Sequence, residues 1–123
     1  MNKIGNLAYL FATMINSDGK VNTKELNSWY QIVENRWPEV PKQQAGDALK
    51  NSLYSLKSQS QVERLNNLEE VLEYLKFNLQ KSDLDNLAKD LSKMIQADGL
   101  ITIEEITLAG LLKWKLGLDI SFN

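Results

Sequence analysis

An eight-residue string that occurs twice is the feature of this sequence that most limits its fold. Residues 18–25 read DGKVNTKE, and residues 98–105, 80 positions later, read DGLITIEE. Each copy has Asp-Gly, an aliphatic residue two positions after the Gly, and a Glu seven positions after the Asp. The segments 6–8 and 86–88, which precede the copies, are identical at the same offset. A repeat on this scale indicates one helix–turn–helix unit that is used twice.

Apolar residues recur at helical spacing along almost the whole chain, and no segment alternates with the period of two that is typical of strands. A chain of 123 residues has the length of one domain. We therefore predict an all-α fold, a compact single-domain bundle of about six helices with an internal repeat of pseudo-two-fold symmetry. The first repeat covers about residues 3–37 and the second about residues 82–117, with an insert at about residues 41–80.

The ends of the predicted helices follow from residues that cap or break helices. Pro38 ends the second helix, and Pro41 suits the first turn of the third, where its missing N–H is not needed. Ser60 and Glu63 have the spacing of a capping box at the start of the fourth helix. The same rules give the remaining predicted caps and stops, which are Ser82 for the fifth helix, and Thr102 and Gly117 for the start and end of the sixth.

Large apolar residues at helical spacing are predicted to form the core. Trp29, Trp37 and Trp114 are included, and an exposed tryptophan would instead mark a contact surface. The apolar tail predicts that Ile120 and Phe122 dock on the bundle or on another protomer, and the second arrangement would be a homodimer. The predicted stripes of the fourth and sixth helices are Leu65, Leu68, Leu72, Leu75 and Leu79, and Ile106, Ala109, Leu112 and Leu116.

The composition excludes several kinds of chemistry. The chain has neither His nor Cys, which rules out a Ser–His or Cys–His nucleophile and deprives zinc of its usual ligands. A bound metal would have to be a hard cation held by oxygens, such as calcium, magnesium or manganese. The net charge of −2 and the scattered lysines disfavour nucleic acid, so that the expected partner is a protein of unknown identity. The lack of a long apolar stretch or secretory signal predicts a cytoplasmic protein without membrane insertion.

The repeated string has a purely structural interpretation. In each copy the glycine follows a helix end, where it adopts a left-handed backbone without a Cβ clash. Asn22 and Thr102 would then be the N-caps of the helices that follow. Glu25 and Glu105, three residues later, occupy the partner position of a capping box. In this interpretation the acids only cap helices, and the chain is a metal-independent protein–protein interaction module.

The same spacing also has a metal-binding interpretation. The string reproduces the second half of a calcium-binding EF-hand loop, in which the Asp and the final Glu both supply oxygens. Met14 and Met94 would occupy the first position of that loop and cannot ligate a hard cation, so the chain is not an EF-hand. A pseudo-two-fold arrangement would bring the two Asp-Gly turns, with Val21 and Ile101, close together. A cation there would relieve the repulsion among the carboxylates of the two turns.

At these residues the chain resembles the TerB-like family, small helical domains associated with bacterial tellurite resistance. The family's repeat ends a helix with a small residue and Asp-Gly, followed by any residue, an aliphatic residue, three more and a Glu. Residues 97–105 match this pattern, and residues 17–25 match it with Ser in place of Ala. The family has one copy near each end of the domain, as this chain does, so the resemblance spans nearly the whole sequence.

The resemblance implies an all-helical fold in which the acids of the motif bind divalent metal. By this resemblance the candidate ligands are Asp18, Glu25, Asp98 and Glu105. The predicted function is a non-enzymatic, metal-responsive binding module linked to bacterial stress or tellurite resistance, with the metal-independent interaction module as the alternative. Because each repeat offers only one Asp and one Glu, we expect a dissociation constant around the millimolar range. An enzyme with paired carboxylates would need a cleft and a raised carboxyl pKa, which the sequence does not indicate.

Overall fold

The computed structural model describes residues 2–15, 23–98 and 103–121, and for residues 97, 98 and 104 it describes the backbone alone. Within these ranges the chain is all-α, with six helices and no strand, which confirms the predicted fold class. No helix in this part of the chain is both long and apolar enough to cross a membrane. The helices are α1 (Lys3–Ile15), α2 (Thr23–Arg36), α3 (Lys42–Ser58), α4 (Gln61–Asn78), α5 (Lys81–Asp98) and α6 (Ile103–Leu116).

The helices belong to two compact units, Met1–Val71 and Leu72–Asn123, and the boundary between the units lies within α4. The first unit contains the helices of the first repeat and most of the insert. The second unit contains the end of the insert and the second repeat. The single domain and the pseudo-two-fold axis stay predictions.

In the first unit, α1 is the most buried helix. Ten of its 13 residues are buried, and they lie on every side of the helix. It packs along α3, and α3 also contacts α2. An apolar helix of this kind gains most of its stability from tertiary burial, since its own backbone bonds would leave so short a helix marginal in water.

Trp29 connects α1, α2 and α3 in the first unit. Its side chain is completely buried in α2, and its ring centroid lies 5.0 Å from that of Phe11 in α1 at an interplanar angle of 54°. The indole N–H donates a hydrogen bond of 2.9 Å to the backbone carbonyl of Ala45 in α3. Trp37 is buried too, so that the predicted burial is confirmed for these two tryptophans.

The corner between α2 and α3 depends on a glycine. A Cβ added at Gly46 would lie 2.5 Å from the hydroxyl oxygen of Tyr30, so a larger residue would displace the tyrosine. The ammonium group of Lys42 lies 4.9 Å from the centre of the Tyr30 ring. Pro41 occupies the N-cap of α3 with an extended backbone, one position before the predicted first turn.

The start of α4 confirms the predicted capping box. The backbone N–H of Ser60 donates to the Glu63 carboxylate at 3.1 Å, and the backbone N–H of Glu63 donates to the Ser60 hydroxyl at 3.2 Å. The guanidinium of Arg64 donates through Nε, at 2.8 Å, to the carbonyl of Leu56 near the end of α3. Backbone N–H and C=O groups at the ends of helices have no partner within the helix. Here these bonds satisfy such groups at the end of α3 and the start of α4, and so stabilise the corner between the two helices.

The predicted stripe of α4 is correct except at one end. Leu68, Leu72, Leu75 and Leu79 are buried, whereas Leu65 is exposed. Leu65 lies roughly 50° from the centre of the stripe at 100° per residue. It is therefore turned towards the exposed side of the helix that also carries Val62.

In the second unit, the prediction that Ser82 caps α5 is wrong. The helix begins at Lys81, and its first backbone bond runs from the N–H of Leu84 to the carbonyl of Gln80. The N–H of Gln80 donates to the carboxylate of Asp83 at 3.3 Å. Asp83, in the first turn, thus caps the N-terminus of the helix with its side chain. This contact places Gln80 at the cap and Ser82 within the helix.

The end of α6 confirms Gly117 as the terminator. Gly117 has a φ of +69°, which favours glycine, and its N–H donates to the carbonyl of Lys113 at 2.9 Å. The chain then returns along α5, with Leu118 buried and the N–H of Ser121 bonded to the Ser92 hydroxyl at 2.9 Å. The tail therefore docks on its own unit as far as Ser121, with Ile120 half-buried, while Phe122 lies outside the described residues.

Candidate functional site

The two copies of the repeated string precede helices that begin at equivalent residues. Helix α2 begins at Thr23 and α6 begins at Ile103, with the same offset of 80 as the strings themselves. Glu25 and Glu105 are therefore each the third residue of a helix. The sequence repeat is thus reproduced by these two helix starts.

The two glutamates differ from ordinary surface acids in their burial. Glu25 is half-buried, and only 6% of Glu105 is exposed. Neither side chain is free of interactions. A buried carboxylate needs compensating contacts because removing its charge from water is costly. The surroundings of Glu105 therefore satisfy it as it stands, and burial alone does not identify it as a ligand.

The two aspartates of the predicted site are described less fully. Asp98 is the last residue of α5, so this helix runs up to the Asp-Gly pair as the sequence indicated. Asp18, together with Val21 and Ile101, lies outside the described residues. Whether the two turns meet is therefore still a prediction.

The structure does not bring the two described ligand candidates into one unit. Glu25 belongs to the first unit and Glu105 to the second. Among the side chains that the structure describes, no three from His, Cys, Asp and Glu are grouped where they could hold one metal ion. The side chains of Asp18 and Asp98 are not among them, so the four-carboxylate site stays a prediction.

An acid at the third helical position is common in this chain. Glu63 in α4 and Asp83 in α5 occupy the same position as Glu25 and Glu105, and both accept a bond from the cap amide. Both lie outside the repeated strings, which shows that this position serves capping alone in two helices. Glu63 is exposed, however, whereas Glu105 is buried. Burial is thus the property that distinguishes Glu105 from an acid that only caps its helix.

On α6 the predictions that Ile106 and Trp114 lie in the core are wrong. Their side chains are 54% and 75% exposed, and that of Ile103 is 79% exposed. Leu108 and Leu112, on the opposite face, are almost completely buried. The helix has apolar residues on both faces, and only one face is covered. That all-round pattern was the signal in the sequence that could have indicated a second surface.

Two grooves of the first unit are lined by described residues outside the repeated strings. The groove between α1 and α3, about 420 Å³ in volume, is lined by one acid, Asp47. The groove beside the corner of α2 and α3, about 670 Å³, is also lined by one acid, Glu34. Among the described residues, neither groove thus has the pair of carboxylates that acid–base chemistry would use.

Tyr9 has a pKa that differs clearly from its ordinary value. Burial raises the pKa of its phenol above 10.0, although a hydrogen bond with Asn67 and the positive charge of Arg64 act in the opposite direction. The hydroxyl donates to the side-chain oxygen of Gln59 at 3.0 Å. The phenol is therefore protonated at neutral pH and acts as a structural hydrogen-bond donor.

No family model, no curated protein and no solved structure matches this chain. The resemblance to the TerB-like family thus rests on the two motifs in the sequence, and it stays a prediction.

Proposed function

We propose that this protein is a non-enzymatic binding module of the TerB-like type, whose acidic turns bind a hard divalent cation weakly. The observation that carries the proposal is that the repeated Asp-Gly…Glu string is reproduced at two equivalent helix starts, where Glu105 is buried and Glu25 is half-buried. The lack of His and Cys supports the non-enzymatic part, because the chain has no nucleophile–base pair of the common kinds. A role in bacterial stress or tellurite resistance belongs to the resemblance and is part of the same proposal.

The comparison with Glu63 supports a role for Glu105 beyond capping. Glu63 meets the needs of its helix start while it remains exposed, so that capping does not require burial. In a metal site the glutamate must instead turn inwards, so that its oxygens and those of the preceding turn bind the same cation. Burial of Glu105 and partial burial of Glu25 agree with that requirement.

The expected affinity is low. Calcium takes roughly six to eight oxygen ligands, and each repeat supplies one Asp and one Glu besides backbone carbonyls and water. A dissociation constant around the millimolar range is therefore expected for one turn. If the two turns share a cation, mutual repulsion of their carboxylates would be relieved on binding, and the affinity would be higher.

A metal-independent interaction module is the second candidate function. It is favoured by Asp83 and Glu63, which cap α5 and α4 from the same helical position without any part in the repeat. In this interpretation Glu25 and Glu105 complete the ends of α2 and α6 in the same way. The two candidates make different predictions for one conservative substitution.

Glu105→Gln discriminates between them. Glutamine can replace glutamate in a capping box but is a much poorer ligand for a hard cation. For the wild type, a cation at ten times its dissociation constant should raise the free energy of unfolding by about 1.4 kcal/mol. The measurement is thermal unfolding with calcium, magnesium or manganese, against sodium chloride of equal ionic strength. Under the metal proposal Glu105→Gln and Asp98→Asn lose the shift.

Glu63→Gln is the matched control, because it changes the same residue type at the same helical position outside the repeat. It should keep the full metal-induced shift. No shift of the wild type at ten times the expected dissociation constant contradicts the metal proposal. A shift that Glu105→Gln retains removes this residue from the ligand set and favours the capping interpretation.

A further inference from the structure

The outer face of α6 is an apolar stripe that is exposed among the described residues of its unit. The residues on this face are Ile103, Ile106, Thr107, Gly110 and Trp114, and all five are exposed. At 100° per residue the side chains of the stripe lie within an arc of roughly 100°, and the stripe is roughly 16 Å long. We name this set the α6 stripe. Single exposed apolar residues are ordinary, but three large ones in a row on one helix mark a contact surface.

Gly110 lies in the α6 stripe and leaves a shallow gap in it. A Cβ added at this position would meet nothing within 4 Å, so the space beside the helix backbone is open. A glycine in the middle of a helix is less favourable than alanine by about 1 kcal/mol. The absence of a side chain here lets another helix approach the α6 backbone closely, between the bulky groups at either end.

The order of residue sizes along the stripe is complementary to itself in the antiparallel direction. With a two-fold axis near the middle of the stripe, Ile103 of each copy lies opposite Trp114 of the other. Ile106 then faces the gap at Gly110. A two-fold interface requires this kind of pairing, in which each contact occurs twice. Antiparallel helices also place the positive end of one helix dipole beside the negative end of the other.

The extent of the stripe indicates a weak pair. Its three large side chains and their rim correspond to roughly 400 Å² per copy, and hence to roughly 800 Å² in a pair. Stable protein interfaces bury about 1,200 Å² or more, and smaller ones are transient. Association that depends on concentration in the micromolar range or above is therefore expected.

Charges around the stripe agree with a second copy better than with a lipid surface. Lys113, beside the stripe, forms an ion pair of 3.4 Å with Asp119, so that its charge is already balanced. Lys115 lies over the Trp114 ring, 4.5 Å from its centre. The chain as a whole carries a net charge of −2, which disfavours an anionic membrane.

We propose that the α6 stripe is a self-association surface through which two copies of this chain pair in antiparallel fashion. The pairing uses neither the acidic turns nor a cation. It therefore stands or falls independently of the proposed metal binding.

Sedimentation velocity over a concentration series, from about 5 μM to about 1 mM, tests the pairing without added metal. The average mass of the wild type should rise from 14.0 kDa towards twice that value. Trp114→Ala should remain at the mass of one copy throughout. A wild type that stays monomeric at every concentration overturns the proposal, as would be the case if the stripe served a different protein or a membrane.

Gly110→Leu keeps the test independent of folding defects. Leucine favours a helix more than glycine does and has open space here, so the melting temperature should not fall. Its side chain fills the gap that the partner needs, and pairing should be weakened at least tenfold. Tyr54→Ala, at an aromatic residue of α3 with 77% exposure, is the control and should pair like the wild type. Pairing of Gly110→Leu with wild-type affinity, or loss of pairing in Tyr54→Ala, overturns the proposal.

Discussion

Replacing Trp29 with Phe tests the core of the first unit at its most connected residue. The substitution keeps an aromatic ring near Phe11, which lies 5.0 Å away between ring centroids. It removes the indole N–H that donates to the carbonyl of Ala45 and leaves part of a completely buried site empty. The change therefore weakens the link between α2 and α3 while retaining most of the contact with α1.

The cost follows from two effects of similar size. The smaller ring leaves a cavity of roughly 40 Å³ and loses the corresponding burial, which together cost about 1–2 kcal/mol. The lost hydrogen bond costs about 1 kcal/mol, near the lower end of the range for a buried group, because the carbonyl of Ala45 also serves the helix ladder of α3. We expect the free energy of unfolding to fall by about 2–3 kcal/mol and the melting temperature by roughly 6–15 °C.

Urea unfolding followed by far-UV circular dichroism measures this loss without relying on tryptophan emission. Trp114→Phe is the matched control, since its side chain is 75% exposed and its loss should change stability by about 0.5 kcal/mol or less. A loss below about 1 kcal/mol for Trp29→Phe would refute the reasoning. Equal losses for the two variants would show that burial of Trp29 does not determine the outcome.

Three further predictions concern other residues of the fold. Gly46→Ala should change the free energy of unfolding more favourably, by about 1 kcal/mol, in the Tyr30→Phe background than in the wild type. The reason is that Phe lacks the hydroxyl oxygen that would lie 2.5 Å from the added Cβ. A double-mutant cycle of urea unfolding measures this coupling. Gly117→Ala should lower stability by about 1–2 kcal/mol in thermal unfolding, since an L-residue is strained at a φ of +69°. Folding should weaken as the pH rises above 10.0, because the raised pKa of Tyr9 keeps its proton in the folded state after the unfolded chain has lost it. Tyr9→Phe should have a smaller slope of stability against pH in that range, and an unchanged slope would contradict the assignment.

The prediction of helices from the sequence worked where the signals are local. The capping box of Ser60 and Glu63, the stop at Gly117 and the order of six helices all agree with the structure. Ser82 was wrongly assigned as a cap because a serine is a good N-cap in general. Asp83, the next residue, bonds to the amide of Gln80 and shifts the start of the helix. Ser82 and Asp83 are both capping residues and lie one position apart, and the sequence pattern alone does not decide which of them caps the helix.

The candidate site shows a different limit. In the sequence, Glu63 and Glu105 are alike, because each is an acid at the third position of a helix. Only the structure shows that the first is exposed and the second buried. Burial depends on which residues the fold brings near a side chain, so the 6% exposure of Glu105 could not be inferred from its neighbours in sequence.

The sequence by itself determined the all-α class and most helix ends of this protein, because periodicity and capping act within a few residues along the chain. Only the tertiary structure decided which face of α6 is covered. That helix has apolar residues on two faces, and its own sequence favours burial of either. Leu108 and Leu112 are buried, whereas Ile103, Ile106 and Trp114 on the opposite face are exposed.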